Sequence, residues 1–238
     1  MIGQFLLTGI SGTELTREEA SFINEAQPAG VILFSRNFKN KDQLKTLTSS
    51  IQSLSVQRDF LISVDQEGGR VQRFKEGFTR IPAMMEAGKE GSAKKIFELH
   101  QILAKELIDC GINLNFSPVC DTLVEPNNDV IGDRAFSDNH EEVAKLSSAA
   151  IRGMLKEGLL CCAKHFPGHG RSLKDSHLEK VVVSMNQEEV DLEMIPFQRA
   201  VRAKVPVLMP SHMVVDYFDK DLPCSLSSNA LRLSLIHI

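Results

Sequence analysis

Leu159-Leu-Cys-Cys-Ala-Lys164-His165-Phe-Pro-Gly-His-Gly170 is the stretch that decides the fold. Its first five residues are apolar without alternation, as expected of a strand buried on both faces of a parallel sheet. Lys164 and His165 follow at its carboxyl end, and Pro167, Gly168 and Gly170 then force a loop. Outward from this stretch, apolar runs alternate with helical patterns along the whole chain. Toward the N-terminus come the runs Gln4 to Ile10, Gly30 to Phe34, Phe60 to Asp65 and Ile112 to Phe116, the last alternating like a strand. Between them lie helical patterns from Thr16-Arg-Glu-Glu19 to about Ala26, from Asp42 to Leu54, from Ala93 to Cys110, and from Glu141 to Glu157. Beyond the central stretch, Gln187 to Lys204 reads as a helix that Pro196 is expected to kink, Pro206 to Met209 as a strand, and Ser227 to Leu235 as the start of a helix.

Such a succession fits a doubly wound sheet or a barrel. A doubly wound dinucleotide fold requires G-x-G-x-x-G after its first strand, and Gly9-Ile-Ser-Gly12 has the wrong spacing. A barrel instead gathers polar residues at the carboxyl ends of several strands. Here Asp65-Gln-Glu67, Asp121, Lys164-His165 and Ser211-His212 stand at four such ends. The expected fold is therefore α/β, an incomplete (β/α)8 TIM barrel with about six of its eight strand–helix units, in one domain spanning residues 1–238.

Composition narrows the function. The 238 residues carry 27 Lys and Arg against 31 Asp and Glu, a net charge of −4, which disfavours a nucleic-acid binder. Five cysteines, with no C-x-x-C pair, indicate neither a disulfide framework nor a zinc ribbon, and Cys161 and Cys162 read as small buried hydrophobes. No signal-peptide pattern lies in Met1 to Gly12 and no apolar run reaches 18 residues, so a soluble, cytoplasmic protein is expected.

Two segments carry chemistry. Lys164 to Gly170, with Asp175-Ser-His177, packs three histidines, a lysine and an aspartate into fourteen residues; an Asp two places before a His can hold an imidazole for acid/base work. Val64-Asp-Gln-Glu-Gly-Gly-Arg-Val-Gln-Arg73 places two acids and two arginines around a glycine pair, where a carboxylate can accept sugar hydroxyls and an arginine can fork onto oxygen.

These two segments, with Ile131-Gly-Asp-Arg-Ala-Phe136, together resemble the family 3 glycoside hydrolases, and within them the bacterial β-N-acetylhexosaminidase branch that acts on peptidoglycan fragments. The resemblance runs from about Met1 to Leu231. It implies His177 as the general acid/base with Asp175 as its partner, and Asp65, Arg73, Arg134, Lys164 and His165 as the residues that hold the outermost sugar. It implies a retaining reaction through a glycosyl-enzyme, with a histidine where most such enzymes use a second carboxylate. It also implies no metal or organic cofactor, a small-molecule N-acetylglucosaminide or muropeptide as partner, no nucleic acid or membrane, and a monomer for the full-length form. An unperturbed imidazole titrates near 6.5, and Asp175 is expected to raise that value and keep the donor form available.

One family feature is missing. Its nucleophilic aspartate is expected in a Ser-Asp-type motif beyond the helix that begins near Ser227, and Leu233-Ser-Leu-Ile-His-Ile238 does not resemble that continuation. The expectation is a C-terminally truncated copy with open barrel edges, poorly stable, prone to associate and catalytically weak. Asp216 and Asp219 are the substitutes for it near a strand end after His177, although Asp216 is expected to serve loop structure or substrate positioning instead. Three alternatives stand beside the hydrolase. One is a non-catalytic N-acetylglucosamine-binding remnant. The second is a family 3 β-glucosidase, although such enzymes generally lack the histidine of the Asp-Ser-His segment. The third is a metal-dependent hydrolase using His165, His169, His177 and His212, although Gln4 to Gly9 lacks the H-x-H pair it would need. No Trp and one Tyr, Tyr217, suit a pocket for one terminal sugar better than a long cleft.

Overall fold

Six parallel strands lie side by side in chain order in the computed structural model, which describes residues 2–55, 60–173 and 180–236. They are β1 (Leu7–Gly9), β2 (Gly30–Leu33), β3 (Leu61–Val64), β4 (Leu114–Asn115), β5 (Leu160–Phe166) and β6 (Val207–Pro210). Each is followed by a helix: α1 (Arg17–Ala26), α2 (Lys41–Leu54), α3 (Ala93–Asp109), α4 (His140–Lys156), α5 (Gln187–Arg202) and α6 (Ser228–Ile236). Sequential parallel neighbours joined through helices are six of the eight units of a (β/α)8 barrel, curled but open.

The two-residue period of the strands sorts their side chains. Val31, Leu33, Ile62, Val64, Cys161 and Ala163 point outward into the main core beneath the helices. Ile32, Leu61, Leu114, Leu160, Cys162, Val207 and Met209 form a separate cluster on the concave face. The alternating asparagines of β4 and its lead-in are not a solvated face. Asn113 accepts from the Ile62 amide at 2.8 Å and donates to the Phe60 carbonyl at 2.8 Å, and Asn115 brackets Gln66 in the same way at 2.9 and 3.0 Å. Polar residues here complete the backbone hydrogen bonding of β3, which buried amides require.

Helix starts follow their sequence signals. Thr16 and Glu19 form the reciprocal capping box at α1, and Asn139 and Asn186 cap α4 and α5. Pro196 is buried within α5, which runs through it as one helix. Among the short elements that escaped the sequence reading are an antiparallel hairpin (Gln66–Gly68 with Val71–Gln72), a helical turn at Met84–Gly88, and a parallel pairing of Val182–Val183 with Val214–Val215. All five cysteines are buried thiols, and burial pushes Cys162 up to about 12.

α3 and α4 approach closely at Gly153, where an added Cβ would lie 2.4 Å from the Phe97 carbonyl oxygen. Beside that contact His100 is fully buried; its Nδ1–H donates to the Ile96 carbonyl at 2.9 Å, and its Nε2 has no partner among the described residues. Burial pushes its pKa down to about 4 from 6.5. The unfolded chain therefore takes up this proton first, and stability falls as pH drops from 6.5 through 4. His100→Leu is expected to flatten that part of the pH–stability curve by roughly 2–3 kcal/mol, measured by urea unfolding at pH 7.5 and pH 4.5.

Candidate active site

The carboxyl ends of the strands surround one cavity of about 680 Å³. Period-2 geometry explains much of its lining. Leu61 and Ser63 face the concave side, so Asp65 and Glu67 continue the same row upward into the cavity. The hairpin then turns at Gly68 and Gly69, both with positive φ (117° and 51°), and returns Val71 and Arg73 to the same wall. Buried amides hold that turn: Gln66 exchanges hydrogen bonds with the Phe74 backbone at 2.8 and 3.0 Å, and the Gln72 carboxamide accepts from the Ile81 amide at 3.0 Å.

β5 breaks the alternation, and the break builds the site. Cys161 and Ala163 face out, and Cys162 and Lys164 face in; Phe166 packs outward against Phe197, with ring centroids 5.4 Å apart. A shift of register against β6 between Lys164 and Phe166 lets the adjacent Lys164 and His165 both line the cavity. The sequence reading ended the strand at Ala163; the strand runs three residues further because the bulge accommodates the two polar side chains.

Asp65, Arg73, Arg134, Lys164 and His165, widely separated in sequence, all line this cavity. Lys164, with its side chain 3% exposed, bonds Asp65 Oδ1 at 2.8 Å and Glu67 Oε1 at 2.6 Å. Arg134 forks onto Glu67 through Nε and Nη2, both at 2.8 Å, and donates Nη1–H to the Val130 carbonyl at 3.0 Å. Arg73 Nη2 lies 3.8 Å from Asp65 Oδ2. Burial alone would raise the Glu67 carboxyl, but Lys164 and then Arg134 outweigh it and hold the pKa at about 2. The same carboxylates raise Lys164 against the opposing effect of its burial, so both partners are charged at neutral pH.

His165 is held from behind. Its Nδ1 meets Asp121 Oδ2 at 2.7 Å, and the amides of His165 and His169 donate to Asp121 Oδ1 at 3.0 and 2.8 Å. Burial would raise the fully enclosed Asp121, yet His165 and these hydrogen bonds keep it below the usual carboxylate range. Fixing Nδ1 leaves Nε2 for a ligand. Arg70 acts elsewhere. It donates to the carbonyls of Asp129, Val130 and Ile131 and pairs with Asp133 at 2.9 Å, clamping the hairpin to the turn Gly132–Arg134.

His177 and Asp175 lie outside the described residues. Asp216 does not line the cavity; its carboxylate accepts from the Met185 amide at 3.1 Å, and Asp219 caps the amides of Asp221 and Leu222 at 3.0 Å. His165 and His169 stand with ring centroids 6.1 Å apart, and no group of three or more His, Cys, Asp or Glu placed to hold a metal occurs among the described residues. The glycoside hydrolase resemblance gives no role to Glu67, Asp121 or His169, and His169 enters only in the metal-dependent alternative. The i, i+2 spacing of Asp65 and Glu67 is a signal that could have found the first. Apolar Ile32, Phe116 and Met209 complete the floor beneath the charged wall. An apolar floor with fixed donors and acceptors at one edge suits a neutral polyhydroxylated ring, which offers apolar faces and polar rims.

A cavity at the carboxyl ends of the strands is where barrel proteins place their functional sites, and the chain belongs to glycosyl hydrolase family 3, whose N-terminal domain matches residues 2–235. Among its relatives is a beta-hexosaminidase from Neisseria gonorrhoeae (strain NCCP11945), 41% identical over 90% of this chain and 61% of that protein. Another, from Nitrosomonas eutropha, is 38% identical over 95% of this chain and 66% of its own length. The chain thus spans a little under two thirds of the curated relatives it matches. A family 3 beta-N-acetylglucosaminidase from Paenibacillus sp. superposes with a TM-score of 0.94 at 36% identity, over 99% of this chain and 45% of that one. NagZ from Neisseria gonorrhoeae, in a crystal structure with N-trifluoroacetyl-D-glucosamine, superposes with a TM-score of 0.86 at 40% identity, over 93% and 66%.

Proposed function

We propose that this chain carries the sugar-binding wall and the acid/base segment of a retaining, exo-acting β-N-acetylglucosaminidase, with terminal β-linked N-acetylglucosamine of peptidoglycan fragments as its substrate. The observation that carries the reading is the convergence of Asp65, Arg73, Arg134, Lys164 and His165 on one cavity. The beta-hexosaminidase names of its relatives and the glucosamine derivative bound by NagZ support it.

In this reading Asp65 accepts hydroxyl protons while Lys164, Arg134 and His165 donate to sugar oxygens, holding the ring over the apolar floor. Protonated His177 gives its proton to the departing glycosidic oxygen as a carboxylate attacks the anomeric carbon. Neutral His177 then takes a proton from the water that releases the sugar. No described residue is assigned as the attacking carboxylate, since Asp65 and Glu67 are both bound to Lys164.

The test is hydrolysis of a chromogenic β-N-acetylglucosaminide by this chain and by a form lengthened to the span of its relatives. Activity is expected in the lengthened form, with His177→Ala lowering kcat by roughly 10²–10⁴-fold, the usual contribution of a general acid/base. Sugar binding without turnover in either form would favour a non-catalytic N-acetylglucosamine-binding module. Neither binding nor turnover would reject the reading.

A further inference from the structure

We propose that Glu67 is a positioning residue that sets the affinity of the cavity for sugar by holding Lys164 and Arg134 in their ligand-facing geometry, an inference that rests on the function proposed above. One carboxylate serves both cations. Glu67 Oε1 accepts from Lys164 Nζ at 2.6 Å and from Arg134 Nη2 at 2.8 Å, while Oε2 accepts from Arg134 Nε at 2.8 Å. Because both cations bond the same oxygen, their charged heads are necessarily close and would repel without the anion between them.

Glu67 lines the cavity but is 2% exposed, and both of its carboxylate oxygens are taken up by these two cations, so it acts through them rather than on the sugar. Donor counting makes the consequence concrete. Lys164 gives one N–H to Asp65 and one to Glu67, which leaves one of its three. Arg134 gives two to Glu67 and one to Val130, which leaves two of its five. The directions of those remaining donors are fixed by the bonds to Glu67. Long side chains freed from such a clamp must be ordered again by the ligand, and that cost appears directly as lost affinity.

The experiment titrates N-acetylglucosamine calorimetrically into the whole chain, with thermal unfolding of each sample alongside. Asp65→Asn, which alters a group placed on the sugar itself, serves as the reference for lost binding. Glu67→Gln keeps the shape and removes the charge, and is expected to weaken binding on the order of tenfold or more. Glu67→Asp keeps the charge, and with it the neutralisation of the buried cations. Its shorter arm cannot reach both, so binding weakened by several-fold is expected in a folded protein; this variant decides the matter if Glu67→Gln does not fold.

A purely structural role predicts something different: a lower Tm in both variants with wild-type affinity in the folded protein, and that result overturns the inference. Unaltered binding in Glu67→Asp overturns it as well. If the parent chain itself binds no N-acetylglucosamine, the functional reading fails first and the inference falls with it. Binding lost in Asp65→Asn but kept in both Glu67 variants rejects the inference alone.

Discussion

Replacing Lys164 with methionine is expected to lower Tm by roughly 6–20 °C and to abolish sugar binding. Methionine fills nearly the same volume, so the effect is electrostatic. Asp65 and Glu67 share this one ammonium, at 2.8 and 2.6 Å, inside a wall where Glu67 is 2% exposed. Removing one partner of a buried ion pair costs about 3–5 kcal/mol. Here Arg134 still forks onto Glu67, but among the described residues Asp65 keeps only Arg73 at 3.8 Å, so one carboxylate charge of the cluster loses its close cation. For a chain of this size each kcal/mol moves Tm by about 2–4 °C.

The sign of the pH dependence follows from Glu67. Its folded pKa lies at about 2, below the ordinary 4.5, so in the parent its contribution is fully present above pH 4.5 and is lost as pH falls toward 2. In Lys164→Met the ion that lowers it most is gone, the carboxyl protonates more readily, and the difference in Tm between variant and parent should shrink as pH falls below 4.5. Scanning calorimetry at pH 7 and pH 4 checks both statements. An unchanged Tm at pH 7 would show that the cluster contributes nothing to stability.

Gly170→Ala is the second large effect. A Cβ there would lie 1.6 Å from the Thr122 carbonyl oxygen and 2.6 Å from its carbon, both backbone atoms with no rotamer to yield. The Gly170 carbonyl also accepts from the Glu125 amide at 2.9 Å, and Asn128 donates to the His169 carbonyl at 2.8 Å, so the loops after β4 and β5 are laced together at this point. An added methyl must push them apart, at about 1–3 kcal/mol or more, since overpacking here strains main chain rather than side chains. Lys164 and His165 lie before the clash and Asp175 and His177 after it. Thr122 also adjoins Asp121, which holds His165, so the displacement reaches the sugar-binding wall as well. In the lengthened form kcat/KM is therefore expected to fall at least tenfold. Steady-state kinetics with a chromogenic β-N-acetylglucosaminide measures it, and an unchanged kcat/KM would contradict it.

The framework was legible because strand and helix periods are local. Each apolar run followed by a capped helix became one unit of the sheet, and the polar residues at four strand ends pointed to one face. What sequence could not give depends on partners distant along the chain. The inward turn of His165 requires a register shift against β6, whose pairing residue Pro210 lies far downstream. Asp121 is an ordinary acid in its own segment and becomes a clamp only when β5 brings His165 beside it. Glu67 stood in plain view in the Asp-Gln-Glu segment, yet its role exists only once Arg134 and Lys164 arrive from two other parts of the chain. Arg70 and Arg73, three positions apart, divide into a clamp for the 129–133 backbone and a member of the cavity wall, a division set by the hairpin rather than by composition.

The central claim is that this charged wall holds a terminal N-acetylglucosamine, and calorimetric titration of the chain with that sugar tests it most directly. The expected result is saturable binding to one site, lost or strongly weakened by Asp65→Asn and by Lys164→Met. Absence of saturable binding, or binding indifferent to both substitutions, would contradict it.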